Sequence, residues 1–480
     1  MRTFCVWRPA LVLAVSGAFL MASCKKDPEV NPSDGSTVSN QEVNNWILST
    51  MRDWYYWNDK IPANPDESLA PKDFFDSILY KFSEHPDGDR FSWIEESAEQ
   101  LQAELSGESK TAGFDFNLYR TQQNSDNIVG SVLYVLPNSP AAQAGLKRGD
   151  IFYSIDGQRL TVGNYEQLLG ASGDTHSYGF ANFDASGKLV ETNTTKQITS
   201  VVFQEDPVYK DSVYTIGGKT IGYLVYNQFV PGPNGSATRT YDQKVDAIFS
   251  KFKASGVNEL VLDLRYNPGG DVQSAVNLAS SISPVATNST VFAKFEYNKS
   301  IMDYLRSEGV ANQLNYNFRA KASNIGANLS RVFVLTTGRT ASASELIING
   351  LKPFMNVVTI GDTTVGKNVG SQTFTDTTGR IKWGMQPIVI KIFNSKGQSD
   401  YTGGFAPNTF KQEPLNLRQL GDISESYLGE AIAQITGTPN ARRPADIQRV
   451  LPFVGSSLSR KAGGSNMFID APMPKIKRLQ

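Results

Sequence analysis

The chain has 480 residues, with 46 Lys and Arg against 47 Asp and Glu, a formal charge of −1, two His and two Cys. That balance excludes binding driven by a general attraction to nucleic acid or anionic lipid, and 40% hydrophobic with 11% aromatic residues excludes a disordered chain. With only His85 and His176, both in polar turn contexts, a three-histidine metal site is excluded; no metal or other cofactor is expected. At roughly 100–200 residues per domain, the length predicts two to four domains.

At the N-terminus, Arg2 and Arg8 precede an apolar stretch from Pro9 to Leu20, followed by Met21-Ala22-Ser23-Cys24-Lys25-Lys26. A positive start, a short apolar run and small residues before a cut predict a secretory signal, too short to span a membrane and remain there. The segment resembles a bacterial lipoprotein signal, with Met21 standing where that pattern prefers Leu, Val or Ile. The resemblance implies that residues 1–23 are removed and that Cys24 carries lipid. It also implies a protein anchored in the cell envelope, at the outer membrane, facing periplasm or exterior. The polar residues 24–38, with Pro28, Pro32 and Gly35, then read as a tether.

Residues 39–108 read as a helical domain. Ser39 and Glu42 fit a capping box flanked by Val38 and Val43, and Val43, Trp46, Ile47, Met51 and Trp54 recur at helical spacing. A second helix is predicted from Pro71, burying Phe74, Phe75, Ile78, Leu79 and Phe82. The aromatic run Trp54-Tyr55-Tyr56-Trp57 is assigned to packing.

Residues 109–205 switch to short strands and tight turns. Ser139, Pro140 and Gly145 punctuate a short helix as cap, first residue and stop, and Asp156-Gly157 is a two-residue hairpin signal. The run from Leu136 to Gly157 resembles a PDZ domain of the kind attached to bacterial proteases. Such a domain takes an extended peptide as an added strand. The resemblance implies a peptide-binding loop at Ala112-Gly113-Phe114-Asp115-Phe116, with Gly113, Phe114 and Phe116 as binding residues; Asp115 is an unfavourable charge for a terminal carboxylate.

Residues 206–438 alternate strands (Ile221–Tyr226, Leu260–Leu264, Val332–Leu335, Val357–Ile360) with helical faces, which predicts α/β layering. Two segments carry chemistry. In Asp263-Leu264-Arg265-Tyr266-Asn267-Pro268-Gly269-Gly270-Asp271, a strand runs into a Gly-Gly turn that can aim backbone amides at one point. In Thr340-Ala341-Ser342-Ala343-Ser344-Glu345, a serine stands where a strand meets a helix, a position that also suits an ordinary cap.

Together with Gly366-Lys367 and the PDZ-like run, these segments resemble the C-terminal processing peptidases, also called tail-specific proteases, over about Trp46 to Gln434. The separation 367 − 342 = 25 is the one usual in that family, so the resemblance selects Ser342 over Ser344. The resemblance implies a multidomain α/β fold: a helical N-terminal domain, a PDZ-like β domain and a crotonase-like ββα peptidase core. It implies Ser342 as nucleophile, Lys367 as base, and Gly269, Gly270 and Ala343 as oxyanion donors. Where the family places a glutamine four residues after the lysine, this chain has Ser371, with Gln372 one later. A bulge that restores Gln372, substitution by Ser371, or absence of a third member all stay open, and Glu345 either fixes Lys367 or supports the helix turn. Asp89-Arg90-Phe91-Ser92-Trp93-Ile94 and Gly403-Gly404-Phe405-Ala406-Pro407-Asn408 resemble two further family segments.

The expected partners are polypeptide substrates, recognised near their C-terminal tails, and a membrane reached through the lipid. The rival expectation is a non-catalytic peptide- or ligand-binding lipoprotein on the same fold. Residues 439–480 carry eight basic residues against Asp446 and Asp470, and read as a basic tail, solvated or partly docked.

Overall fold

The computed structural model describes residues 38–233, 237–438 and 451–459, with backbone alone at 467–468. The predicted signal peptide, Cys24 and the tether lie outside the described residues, as does most of the basic tail.

In the N-terminal region, α1 (Asn40–Trp54) buries Val43, Ile47, Leu48 and Met51 along one face. The next helix, α2 (Pro71–Ser77), opens on Pro71, whose missing N–H costs nothing at a helix start, and buries Phe74 and Phe75. Phe82 departs from expectation: α2 ends at Ser77, and Phe82 is 37% exposed beneath the Arg90 guanidinium. The aromatic run does pack, Trp54 against Tyr297 and Phe374, while the Tyr56 hydroxyl donates to Glu296 at 2.9 Å. A short strand, β1 (Trp93–Glu95), leads out of this region.

The PDZ-like region contains β2 (Phe114–Arg120), β3 (Ile128–Val135), α3 (Pro140–Gln143), β4 (Ile151–Ile155), α4 (Tyr165–Leu169), β5 (Thr175–Phe183) and β6 (Leu189–Thr199). The strands follow one another in a sheet in that order. Ser139 caps α3, accepting from the Ala142 N–H at 3.2 Å, and Asp156 and Gly157 turn the hairpin after β4 with φ of 51° and 73°. Phe114, Phe116, Phe152 and Tyr178 meet largely edge-on in its core.

The third region opens with β7 (Val208–Ile216), β8 (Lys219–Tyr226), α5 (Thr240–Ala254), β9 (Glu259–Asp263), β10 (Gly270–Asp271) and α6 (Val272–Ile282). It continues with β11 (Val291–Tyr297), β12 (Asn315–Asn317), β13 (Arg331–Thr336), α7 (Ala343–Leu351) and β14 (Asn356–Gly361). It closes with β15 (Val369–Ser371), β16 (Gly384–Gln386), β17 (Ile388–Asn394), β18 (Thr409–Phe410) and α8 (Ser426–Thr436). One six-stranded sheet runs β7-β8-β9-β13-β14-β18, with β8, β9, β13, β14 and β18 parallel; all five residues of β9 are buried, as a strand covered on both faces requires. The helix α7 packs on β14 of this sheet and on β11 and β17 of a second sheet, so every one of its residues is buried. β1 pairs with β16, tying the N-terminal region to this core.

The last described residues are not a detached tail. β19 (Phe453–Ser456) adds to the PDZ-like sheet as an antiparallel neighbour of β2. Further on, β20 (Met467–Phe468) lies between β10 and β15 in the second sheet, whose order is β10-β20-β15-β17-β11-β12. The expected boundary at 439 therefore separates residues that the sheets reunite with both preceding domains.

Candidate active site

Three segments converge because three adjacent parallel strands end on the same side. The Gly-Gly turn follows β9, the loop to Ser342 follows β13, and the loop to Lys367 follows β14. In open α/β sheets, this carboxyl edge is where ligand sites form. Threonines fasten the loops to one another: Thr340 Oγ1 donates to the Leu264 carbonyl at 2.9 Å, and Thr337 Oγ1 donates to that of Arg265. The Val365 N–H donates to the Thr340 carbonyl at 3.0 Å.

Ser342 has φ 63° and ψ −114°, outside the regions that a residue with a Cβ normally occupies. Such a conformation costs on the order of 1–3 kcal/mol and persists only where its surroundings impose it. Ser342 does precede α7 at the capping position, but its Oγ, fully buried, has no hydrogen-bond partner among the described residues. The cap expectation keeps its place, since Ser342 and Glu345 stand as a capping box at the start of α7. Ser344 is different: its hydroxyl donates to the Asn267 carbonyl at 3.1 Å, a structural role that supports the selection made by spacing.

Glu345 joins the two halves of the site. Its Oε2 accepts from the N–H of Ser342 and from the N–H of Lys367, both at 2.8 Å. Its Oε1 accepts from the Gly366 N–H at 2.6 Å and from Thr364 Oγ1 at 2.5 Å. Glu345 thus completes the first turn of α7 and also holds the backbone of Lys367. Burial pushes its carboxyl up, and these four donors oppose the push.

Lys367 is fully buried, with Nζ 4.9 Å from the centre of the Phe91 ring. Burial lowers its pKa to about 7, against the opposing pull of the Asp89 and Glu345 carboxylates. The loop that carries it needs glycine at 366: φ is 92°, and a Cβ there would sit 2.3 Å from the Thr402 carbonyl oxygen.

The segment Asp89 to Ile94 has a place in the site that spacing did not reveal. Arg90 donates to the carbonyls of Val365, Gly366 and Thr402 at 2.9, 3.1 and 2.8 Å, so it braces the lysine loop from the N-terminal region. Phe91 supplies the apolar face over the amine, and Asp89, which accepts from the Phe91 and Ser92 N–H groups at 2.8 and 2.9 Å, adds the nearby charge. The signal available in sequence was an Asp-Arg-aromatic triplet in an otherwise polar turn, without anything to say which loop it would meet.

The glycine turn meets the serine directly, since a Cβ on Gly269 (φ 110°) would lie 2.9 Å from Ser342 Oγ. Gly269 is nevertheless corrected as an oxyanion donor: its N–H donates to Asn267 Oδ1 at 2.9 Å, a bond that holds the turn in shape. Gly270 and Ala343 remain as the amides of the predicted hole. Ser371 is buried at the end of β15, and Gln372 donates its N–H to the Pro387 carbonyl at 3.4 Å. A register irregularity does occur here, but Gly370 faces Ile390 and Ser371 faces Ile388, so the extra residue, Val389, lies on β17.

The expected peptide loop is corrected in part. Phe114 and Phe116 turn into the PDZ-like core, and the amides of the loop already have partners: Gly113 N–H donates to Thr111 Oγ1 at 3.0 Å and Phe116 N–H to Ser457 Oγ at 2.8 Å. Asp115, the charge out of place for a terminal carboxylate, accepts from the Ser457 hydroxyl at 2.8 Å. His176 pairs with Asp156 at 2.7 Å, and His85 stacks on Tyr80. Among the described residues, no group of three or more His, Cys, Asp and Glu is placed to hold a metal ion, and no helix is long and apolar enough to cross a membrane.

The chain is similar to known proteins over most of its length. The model of Peptidase family S41 matches residues 220–409, its N-terminal domain model matches 42–93, and a PDZ domain model matches 131–176. A carboxyl-terminal-processing protease of Picosynechococcus is 24% identical over 348 residues, covering 71% of this chain and 74% of the relative. A carboxy-terminal-processing protease of Bartonella bacilliformis is 23% identical, covering 88% of this chain and 86% of the relative. Among solved structures, a chain from Bacteroides fragilis assigned to the S41 proteases superposes with a TM-score of 0.68 at 29% identity, covering 82% of this chain and 97% of its own. The chain belongs to peptidase family S41 and is a serine peptidase with that family's N-terminal domain, a PDZ domain and an α/β catalytic core.

Proposed function

We propose that Ser342 and Lys367 form the catalytic pair. The observation that carries this reading is the single Glu345 oxygen that holds the backbones of both residues, together with burial that leaves the amine of Lys367 half-deprotonated near neutrality. A serine hydroxyl attacks a carbonyl only when a base takes its proton, and a lysine serves only once desolvation has lowered its pKa. Ser342 Oγ gives its proton to Nζ as the Oγ–C bond forms, and the N–H groups of Gly270 and Ala343 stabilise the oxyanion. Nζ then returns the proton to the departing amine as the C–N bond breaks. Water, deprotonated by Lys367, hydrolyses the acyl-enzyme and regenerates the serine.

The substrates under this reading are polypeptides cut near their C-termini, presented by the PDZ domain; the relatives' own description as carboxyl-terminal-processing proteases supports it. We assign the enzyme to the cell envelope, lipid-anchored through Cys24 at the outer membrane and facing periplasm or exterior. The test is labelling by a fluorophosphonate probe: wild type is modified on Ser342, Lys367→Ala is not, and absence of Ser342 labelling in wild type overturns the pair. Loss of membrane association in Cys24→Ala checks the anchor.

A further inference from the structure

The described C-terminal residues occupy two places where a bound polypeptide would be expected. The first is the free edge of β2. Phe453 pairs with Tyr119, Gly455 with Leu118 and Ser456 with Asn117, antiparallel, so the segment runs toward the loop that opens β2. There, the Ser457 hydroxyl sits between Asp115 and the N–H of Phe116, and Leu458 is buried in a cluster with Leu133 and Tyr266. This is β-strand addition, the mode by which PDZ domains take extended peptides.

The second place is the cleft beside the serine. β20 lies between β10 and β15, Met467 opposite Gly270, and Phe468 opposite both Asp271 and Ser371. Those two strands flank the site: β10 begins at the glycine turn packed against Ser342, and β15 begins two residues after Lys367. A backbone in that slot is a strand laid past the reacting groups. A cavity of about 600 Å³ opens at the first place, lined by Phe114, Asp115, Tyr178 and Leu458 among others, and extends as far as Pro268, the residue before the glycine turn.

We propose that the β2 edge and the slot between β10 and β15 form one polypeptide-binding track, and that this chain's own residues 451–459 and 467–468 are its resting occupant, which a substrate displaces. The inference rests on the peptidase reading and adds to it a built-in competitor. An occupant that fills the track in most molecules lowers the apparent rate to the fraction of molecules left open.

Two full-length variants test it in opposite directions. Ser457→Asp sets a second carboxylate against the buried Asp115 and loosens the segment; Tyr119→Cys with Phe453→Cys, in a chain with Cys5 and Cys24 replaced by Ser, locks it across a paired position. With a short fluorogenic peptide and a fluorophosphonate probe, the expected result is about a tenfold rise for Ser457→Asp, as for an occupant present in about nine molecules in ten, and loss of nearly all the remaining rate on oxidation of the cysteine pair, reversed by reductant. Ser342 labelling at the wild-type rate in both variants, with hydrogen exchange showing residues 451–459 released in the first, overturns the occupant while leaving the peptidase intact. Loss of labelling in wild type and both variants alike overturns the catalytic pair instead. If Ser457→Asp fails to fold, the oxidised pair decides alone: a rate unchanged by oxidation overturns the track.

Discussion

Two buried groups of charged residues in the same core have opposite electrostatics. Around Lys367, an amine has been brought out of water beside the Phe91 ring, and burial outweighs the carboxylates of Asp89 and Glu345, so its pKa falls to about 7. On the loop that follows β9, Arg265 is as deeply buried but fully ion-paired: it donates to Asp263 at 2.9 Å and to both oxygens of Glu425 at 2.8 and 3.0 Å, and lies over the Tyr427 ring. Arg148, from the PDZ domain, enters the same cluster through Glu413 at 2.9 Å and through the Tyr266 hydroxyl. Burial would raise the Glu425 carboxyl, but Arg265, Arg148 and the Leu428 N–H hold it down at about 2. Paired charge serves as a scaffold there, fixing the strand that ends in the glycine turn. At Lys367, burial wins over the nearby carboxylates and lowers the pKa of the amine, as the proposed role of base requires.

The sharpest way to break the comparison is to remove the reactive side. Ser342→Ala and Lys367→Ala are each expected to lower peptide hydrolysis by about 10⁴-fold or more, measured as kcat/KM, while the circular dichroism spectrum stays unchanged. Glu345→Gln comes next. Its amide would turn a donor toward two N–H donors, and the expected result is about a 10²-fold loss in kcat. Because Glu345 raises the pKa of Lys367, losing its charge also moves the rising limb of the pH–rate profile to lower pH, a shift that a merely structural role would not produce.

On the paired side, Arg265→Met leaves Asp263 and Glu425 buried without their cation and is expected to destabilise the protein by about 3–5 kcal/mol in urea unfolding. Pairing it with Glu425→Gln should recover part of that loss, since the buried charge left behind is then smaller. The linkage signs also differ. Glu425 is depressed from about 4.3 in the unfolded chain, so its stabilisation is complete above that pH and disappears as pH falls toward about 2. Lys367 is depressed from about 10.4, so the unfolded chain binds the extra proton between about 7 and 10.4, and stability rises with pH across that window. Lys367→Met is therefore expected to be more stable than wild type at pH 7, by on the order of a few kcal/mol, with the gap closing by pH 10. The same amine makes kcat/KM rise through about pH 7.

The alternation of apolar strands and helical faces was enough to predict the α/β core, because burial on both faces leaves continuous runs such as Leu260 to Leu264. The proposed pair, Ser342 and Lys367, was readable through the family resemblance of its motifs and their separation, since the residues by themselves suit an ordinary cap as well. What spacing could not supply was the environment of each. Asp89, Arg90 and Phe91 are some 275 residues away from the loop they brace, a distance that only the tertiary fold closes. Gly269 has the composition of an oxyanion donor, yet the Asn267 side chain, two residues earlier, takes its N–H. The basic tail offered composition without a binding partner, and strand pairing with Tyr119, Leu118 and Asn117 is a property of the assembled sheet.

The amino-acid sequence by itself determined which groups could react. Two histidines in turns left a hydrolase without an imidazole base, and the glycines, the serine and the lysine fell at junctions where backbone geometry is set locally. Only the tertiary structure supplied what the proposed pairing needs: the desolvation of Lys367 and the Glu345 oxygen shared by the backbones of Ser342 and Lys367 arise where separate elements pack, and a pKa is set by surroundings, not by residue type.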